Sequence, residues 1–323
     1  PFYLNTADPL CAAPLCGAGL KREFIMLQKK LRRFEWHGWA FVFPALLVVV
    51  ALFVYPVASS IWYSFTNKNL IRPGCDFIGL ANYLALLRDP SFFAAFGRSI
   101  LWTAASLAAQ LLIGFSAALA LNSIRRGSAL YRTLLIIPWA FPSIVIAFDW
   151  KWILNGVYGF LNNLLLQWGV IGEPIMFLSD TRLVFLTLLF INTWFGAPLL
   201  MVNILSALQT IPKDQYEAAR IDGANGWQVF CHITLRHVRG VIGLLLVLRT
   251  IWVFNNFDLI FLLTGGGPVE LTTTLPIYTY NMGWTLKKIG TASASAVILM
   301  LFLSLICMLY FRLLDRWNKV DEQ

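Results

Sequence analysis

The chain holds 323 residues, of which 59% are hydrophobic and only 13% charged, with a mean hydropathy of +0.69 and a formal net charge of +9. Soluble domains carry about a quarter of their residues as Asp, Glu, Lys and Arg, so this composition excludes an ordinary soluble globule. It fits a membrane protein whose apolar residues fall in blocks of about twenty, the length that crosses hydrocarbon as a helix. The positive charge is not a nucleic-acid signature: Lys and Arg sit in short segments between the blocks, with no long basic arm, Cys-His ligand spacing or RNA-binding aromatic pattern. Cys11, Cys16, Cys75, Cys231 and Cys307 are scattered without a framework and are expected to be free thiols. Residues 1–38 are expected to form a cytoplasmic tail. Their first 25 show no clean secretory signal and are set aside from the fold, with Met26 as a candidate natural start.

Six apolar blocks follow in chain order. The first runs from about Trp39 to Phe65, the second from Ser99 to Asn122 and the third from Tyr131 to Trp152. The fourth spans Leu183 to Leu208, the fifth Val238 to Leu263 and the sixth Gly290 to Leu313. Each is long enough to cross with modest tilt. Pro44, Pro56, Pro138, Pro142 and Pro198, inside or near their ends, are tolerated in packed membrane helices. The predicted class is an all-α polytopic membrane protein, with a six-span domain over 39–314 and a short cytoplasmic tail over 315–323.

Orientation follows from the cations. With the N-terminus inside, sixteen Lys and Arg fall on the cytoplasmic side, among them Arg125, Arg126, Lys213, Arg236, Arg316 and Lys319. Eight fall outside, and Arg249 lies within the fifth block. This bias predicts that both termini are cytoplasmic. Of the external segments, residues 66–98 contain a Gly-Leu-Ala-Asn-Tyr turn into a short helix. Residues 153–182 contain a turn at Asn155-Gly156 and LNNLLLQW, which suits the membrane interface.

One cytoplasmic segment, residues 211–237, contains EAARIDGANGWQVFCHITLRH and is charged where its flanks are not. Pro212 suits a helix start, and Tyr216, Ala219 and Gly223 share one side. Glu217 and Arg220 are spaced to pair. Gly223 and Gly226 end the first helix near Asp222, and a second restarts with Trp227, Phe230 and Ile233 and leads into the fifth block. By pattern alone the segment is either a docking knob for a cytoplasmic partner or an amphipathic turn resting on lipid headgroups. His232 and His237 are expected to be interfacial loop residues rather than metal ligands.

The spacing Glu217-Ala218-Ala219, three residues, Gly223, nine residues, Ile233, one residue, Leu235 resembles the cytoplasmic EAA loop of ABC importer permeases. YPVASSIWYSF at 55–65, FIGLANY at 77–83, IPWAFPSIVIAFDWKWILNGVYGFLN at 137–162 and LLTGGGP at 262–268 resemble the carbohydrate-uptake branch, which includes maltose and glycerol-3-phosphate permeases. The resemblance covers roughly residues 38–315. It departs where the family usually has Pro after the Leu and this chain has Arg236, which puts the local helix geometry in question.

The resemblance implies a six-helix type I ABC importer permease core in a bacterial inner membrane, paired with a second homologous permease. It also implies two cytoplasmic ATP-binding subunits that take the loop, an extracytoplasmic solute-binding protein, and a sugar as substrate. Glu217 would be the docking carboxylate, Ala218 and Ala219 the close-contact face and Gly223 the turn, with Ile233 and Leu235 closing the motif. The chain has no G-x-x-x-x-G-K-[ST] phosphate cradle, so ATP and magnesium are expected in the partner ATPases and no cofactor in this chain. LLTGGGP is expected to make a tight turn near the binding-protein contact.

Polar residues in the spans are candidates for a sugar path. The fifth block holds Arg249, Asn255, Asn256 and Asp258 interleaved with Trp252, Phe254 and Phe257. The fourth holds Asn192, Trp194 and Asn203, the second Gln110, and Asp149 closes the third. The plainer alternatives are that Asp149 and Asp258 sit at the outer interface, that Asn192, Asn203 and Gln110 bridge helices, and that Arg249 locks helices together. Arg249 as the one cation available to the path favours a neutral sugar over a phosphorylated one. The rival function is a gradient-driven secondary carrier of small polar solutes with no ATPase, which would tend to have more spans and internal repeats. No paired carboxylates, Ser-His-Asp set or H-x-x-x-H spacing supports an enzyme.

Overall fold

A computed structural model describes residues 38–124 and 126–321, the side chains of 315–321 excepted. Expectations for residues 1–37, Cys11, Cys16, Arg125, the side chains of Arg316 and Lys319, and residues 322–323 fall outside what is described. The chain forms two units, Pro1–Ser59 and Ser60–Gln323. In the first, the described residues belong to helix α1 (Gly38–Ser64), which passes into the second unit at its end. Its apolar residues point in every direction and its most apolar window buries none of them, the pattern of a helix whose solvent is lipid. A π-turn at Val50–Val54 comes just before Pro56, which has no N–H to donate and crowds the preceding turn.

The second unit contains α2 (Ala81–Arg88), α3 (Pro90–Ser123), α4 (Ser128–Ala140), α5 (Ser143–Ile153), α6 (Phe160–Gln167) and α7 (Val184–Leu208). It continues with α8 (Lys213–Ile221), α9 (Gly226–Val229), α10 (Leu235–Phe254), α11 (Asp258–Thr264), α12 (Leu275–Tyr280) and α13 (Ile289–Asp321). Among the described residues the only β pairing is an isolated bridge between Thr66 and Phe77.

Helix α7 is the bundle's centre, with 56% of its apolar window buried against at most 44% in any other span. It lies alongside α3 in the same direction: Trp102 clusters with Val184 and Leu188, and Leu121 with Leu205 and Leu208. Gly114 permits this approach, since a Cβ there would lie 3.0 Å from the Ala197 carbonyl oxygen and from Leu200 Cβ. Helix α10 runs the other way, with Val238 in the Leu205 cluster and Val253 in the Val184 cluster.

Four spans differ from the sequence expectation. The second begins at Pro90, not Ser99, because Asp89 caps it by accepting from the Ser91 N–H at 2.9 Å and Pro90 suits the first helical position. The third is not one span from Tyr131 to Trp152 but α4 and α5, meeting at a 91° bend. Pro142 forces its predecessor out of the helical region, and Phe141 is extended at φ −86°, ψ 148°. The fifth is interrupted at Asn255–Phe257, and on its other side it is helical from Gly226 through a π-turn at Phe230–Thr234. Arg236, unlike the proline expected there, keeps its N–H, and the helix runs through it. The helical backbone of the sixth span continues to Asp321, past the expected start of the tail.

Buried side-chain bonds fasten the end formed by residues 66–90 and 265–290. Asn82 donates to the Ser64 and Thr66 carbonyls, both at 2.8 Å, and accepts from Thr291 Oγ1 at 3.2 Å. Tyr278 donates to Asp89 Oδ2 at 2.6 Å, and burial first, then this bond and the Asp89 charge, hold its phenol above the ordinary tyrosine range. Ser99 Oγ accepts from the Leu275 N–H at 2.7 Å. The LLTGGGP stretch makes the expected tight turn, with Gly265 and Gly266 at φ 64° and 95° and the Thr272 and Thr273 hydroxyls donating to its carbonyls. Replacing Asn82 by Leu leaves two carbonyls without their donor. The expected loss is about 1–3 kcal/mol, seen as a lower melting temperature in detergent, whereas Thr291→Val should cost less.

Candidate functional site

Two features stand apart from the packed bundle: a polar cavity where helices break, and an exposed helix at the start of the fifth span. The cavity, of about 380 Å³, is lined by residues of both broken spans and of α7, among them Ser143, Asn192, Arg249, Trp252, Asn256 and Asp258. Backbone that leaves the helical pattern inside lipid is tolerated only where protein or water satisfies it. Here the Asn255 side chain donates to the Ile251 carbonyl at 2.9 Å, and Ser143 Oγ donates to Asp258 Oδ2 at 3.4 Å across the two breaks.

Behind the cavity wall runs a buried chain of hydrogen bonds. Arg249, 5% exposed, donates through Nε and Nη2 to Gln110 Oε1 at 3.1 and 2.6 Å. Gln110, fully buried, donates to the Asn192 carbonyl at 2.9 Å. The Asn192 side chain donates to Ser106 Oγ at 2.9 Å and accepts from Asn256 Nδ2 at 3.2 Å. The Trp252 ring lies 5.9 Å from the guanidinium carbon, within cation–π range. Three helices are thus joined through one cation whose direct partner is a neutral amide. Arg249 bridges helices on one side and lines the cavity on the other.

Of the residues expected in a path, Asn192, Arg249, Trp252, Asn255, Asn256 and Asp258 line this cavity, and Gln110 stands one bond behind it. Trp194 does not join them. It packs edge-on to Trp150 at 5.5 Å and lines a separate apolar groove with Pro138 and Ala197. Asn203 spends its amide on its own helix, donating to the Leu199 carbonyl at 2.8 Å. Asp149 is exposed on α5 and is not among the lining residues. Ser143, Trp139 and Phe195 line the cavity without having been anticipated; the Pro142 bend was the available signal for the first two.

The second feature is α8. Its end is a Schellman turn: the Gly223 N–H bonds the Arg220 carbonyl at 3.1 Å and the Ala224 N–H the Ala219 carbonyl at 2.9 Å, with Gly223 at φ 74°. Asn225 and Gln228 then form a reciprocal capping box that restarts the chain as α9. Glu217 and Ala218 are exposed and Ala219 partly so. Tyr216 turns the other way, packing with Ile233 on the Leu205–Val238 cluster and sharing a 3.2 Å hydrogen bond with Thr234. Leu235 remains largely exposed. The His232 and His237 rings each bond a carbonyl one turn back on their own helix.

A bent-span helical bundle around a polar cavity, with a rigid amphipathic knob leading into one of its spans, defines a membrane permease. Comparison with known proteins agrees: residues 110–320 match the family described as binding-protein-dependent transport system inner membrane component, and the chain belongs to that family. It is a multi-pass permease subunit of an ABC transporter. The trehalose/maltose transport system permease protein MalF of Thermococcus litoralis is 33% identical over 261 residues, covering 81% of this chain and 88% of that one. The sn-glycerol-3-phosphate transport system permease protein UgpA of Yersinia pestis is 30% identical over 283 residues, covering 87% and 95%. In fold, the chain matches a subunit of a bacterial ABC transporter that imports the acidic polysaccharide alginate. The TM-score is 0.78 at 22% identity, over 90% of this chain and 99% of that one.

Replacing Arg249 by Met strands the buried Gln110 carbonyl oxygen, whereas removing both partners removes that stranded acceptor and gives up only the Gln110 donation to the Asn192 carbonyl. The expected outcome is a lower melting temperature for Arg249→Met and recovery of part of that loss in Arg249→Met/Gln110→Leu, measured by thermal unfolding in detergent.

Proposed function

We propose that this chain forms half of the translocation path of a sugar importer in a bacterial cytoplasmic membrane. A second, homologous permease completes the path, and two cytoplasmic ATP-binding subunits, which hold ATP and magnesium, drive it. An extracytoplasmic binding protein delivers the solute. Both termini and α8 face the cytoplasm, as the excess of Lys and Arg on that side suggests.

The observation that carries this reading is α8 itself. Fixed by a Schellman turn at one end and Tyr216 along its inner side, it presents Glu217, Ala218 and part of Ala219 outward. Small residues let a partner's surface approach closely, and the carboxylate gives it a charge to pair with. What α8 feels reaches the cavity mechanically. From the capping box the chain is helical through the π-turn to Phe254, and Arg249 and Trp252 lie on its last two turns. The twenty residues of α10 cover about 30 Å, so a tilt imposed at the loop displaces the cavity wall.

Within the cavity, Arg249, Asn192 and Asn256 offer hydrogen-bonding groups beside the Trp252 ring. An aromatic face with polar groups around it suits the two-sided chemistry of a sugar ring, apolar on its C–H face and polar at its hydroxyls. The sugar-related names of the relatives support that substrate class.

The test is co-purification of the tagged chain, expressed with its genomic neighbours, in mild detergent. A second six-span permease and an ATP-binding subunit are expected. Glu217→Arg should lose the ATP-binding subunit and keep the permease partner. Transport-competent material containing this chain and no ATPase would overturn the reading. A thermal-shift screen of sugars on the accompanying binding protein then names the solute, with a neutral sugar expected.

A further inference from the structure

The polar wall of the cavity contains a choice that packing alone does not require. Arg249 is almost fully buried, and its direct hydrogen-bond partner is Gln110, a neutral amide. Among the described residues no carboxylate forms an ion pair with it. A buried cation ordinarily takes an anionic partner, because desolvation is costly and a carboxylate returns most of that cost. Asp258, the one carboxylate lining the cavity, is exposed and accepts from Ser143.

The Gln110 amide is held in one orientation by both of its ends. Its oxygen accepts twice from the guanidinium and its nitrogen donates to the Asn192 carbonyl; a flipped amide would set donor against donor and acceptor against acceptor. The room for this arrangement comes from Gly196, one turn beyond Asn192 on the same face of α7. A Cβ at Gly196 would strike Arg249 Nη2 and lie 2.5 Å from Gln110 Nε2. Nη1 takes part in neither bond to Gln110, and Arg249 lines the cavity, so donors of a full positive charge remain for an occupant.

We propose that Gln110 and Gly196 are positioning residues for solute recognition. They hold the Arg249 guanidinium at the cavity wall as an uncompensated cation, so that the path selects solutes presenting an oxygen acceptor to it. That acceptor is a pair of ring hydroxyls in a neutral sugar or a carboxylate or phosphate in an acidic one. Hydrogen bonds from an ionised donor are about twice as strong as neutral ones, and a neutral partner at Gln110 leaves the net positive charge of the guanidinium uncompensated at the cavity wall.

This inference rests on the importer reading, and its test separates the two. The assembled importer is reconstituted in liposomes with its binding protein, loaded with the solute that the thermal-shift screen identifies, and the solute imported per ATP hydrolysed is measured. Gln110→Glu keeps the reach and the bond to Arg249 and compensates the charge, but it gives up the donation to the Asn192 carbonyl. With assembly, ATP hydrolysis and melting temperature retained, import per ATP is expected to fall about tenfold for a neutral sugar, as the introduced carboxylate competes for the guanidinium and cancels its net charge. The fall should be larger for an acidic sugar, which the introduced carboxylate repels. Gly196→Ala, which displaces the guanidinium and alters no charge, should give the same defect.

If Arg249 were only a lock between helices, the Gln110→Glu bridge would be stronger and import per ATP unchanged; that result in either assembled variant overturns the proposal. If neither variant assembles, the site is a structural lock and the proposal also falls. Absence of an ATPase from the wild-type assembly would instead strike the parent reading.

Discussion

A guanidinium inside an apolar bundle must be solvated by the protein around it, and the rest of the architecture is arranged about that requirement. Arg249 reaches from α10 to Gln110 on α3, and Gln110 reaches on to the backbone of α7 at Asn192. The three helices that form the centre of the bundle are therefore held at the level of one cation. The close approach of α3 and α7 at Gly114 and the clearance at Gly196 are conditions of that arrangement. Interhelical hydrogen bonds in membranes are individually modest, averaging about 0.6 kcal/mol in measured cases. What this chain of bonds supplies is position, since every member has a fixed donor or acceptor sense.

The clusters on either side of this level differ in kind. Toward the loop that carries α8, Leu200, Ile204, Leu205 and Val238 interdigitate as a dry core. Toward the opposite end, aromatic pairs such as Phe257–Phe261 and Trp150–Phe190 accompany the broken helices. A dry, continuous core transmits displacement, because close-packed interiors are poorly compressible. The interrupted helices α5 and α11 also pack, through Ile146, Ala147, Leu259, Ile260 and Leu263, and two single bonds, Ser143 to Asp258 and Lys151 Nζ to the Leu262 carbonyl, link them further. A packed core leading from the loop and interrupted helices around the cavity suit a protein proposed to convert motion at one end into access at the other.

Much of this was legible in the sequence. Span existence and order follow from apolar blocks alone, and the helix–turn–helix at 213–229 follows from Pro212, Gly223 and Gly226, with the Asn225–Gln228 capping box seen only in the structure. The interruptions were harder. In sequence Pro142 reads as tolerated within one continuous third span, and the 91° bend there shows only in the structure, where α5 packs against α11. The break at Asn255–Phe257 has neither Gly nor Pro to mark it; it becomes visible only with the Asn255 side chain folded back on the Ile251 carbonyl. Among the site candidates, hydropathy treats Asn192 and Asn203 alike. Eleven residues apart on α7, they meet different neighbours, and Asn203 can satisfy its amide on its own helix. In sequence Gln110 and Arg249 are each open between lining a path and joining helices, and the structure bonds the two to each other.

The breaks also explain why the cavity is where it is. In lipid, an unwound backbone is stable only beside groups that hydrogen-bond it or water that does so. Two spans that unwind at separate places would need two such environments, whereas two that unwind against each other need one. Residues of both breaks, Ser143 beside Pro142 and Asn255–Asp258, line a single cavity, and one of its walls is the end of the Arg249 relay. The polar groups that make unwinding tolerable are the same groups that a hydroxylated solute would meet. In the proposed importer, stability of the broken helices and recognition of a polar occupant would be two uses of one set of side chains.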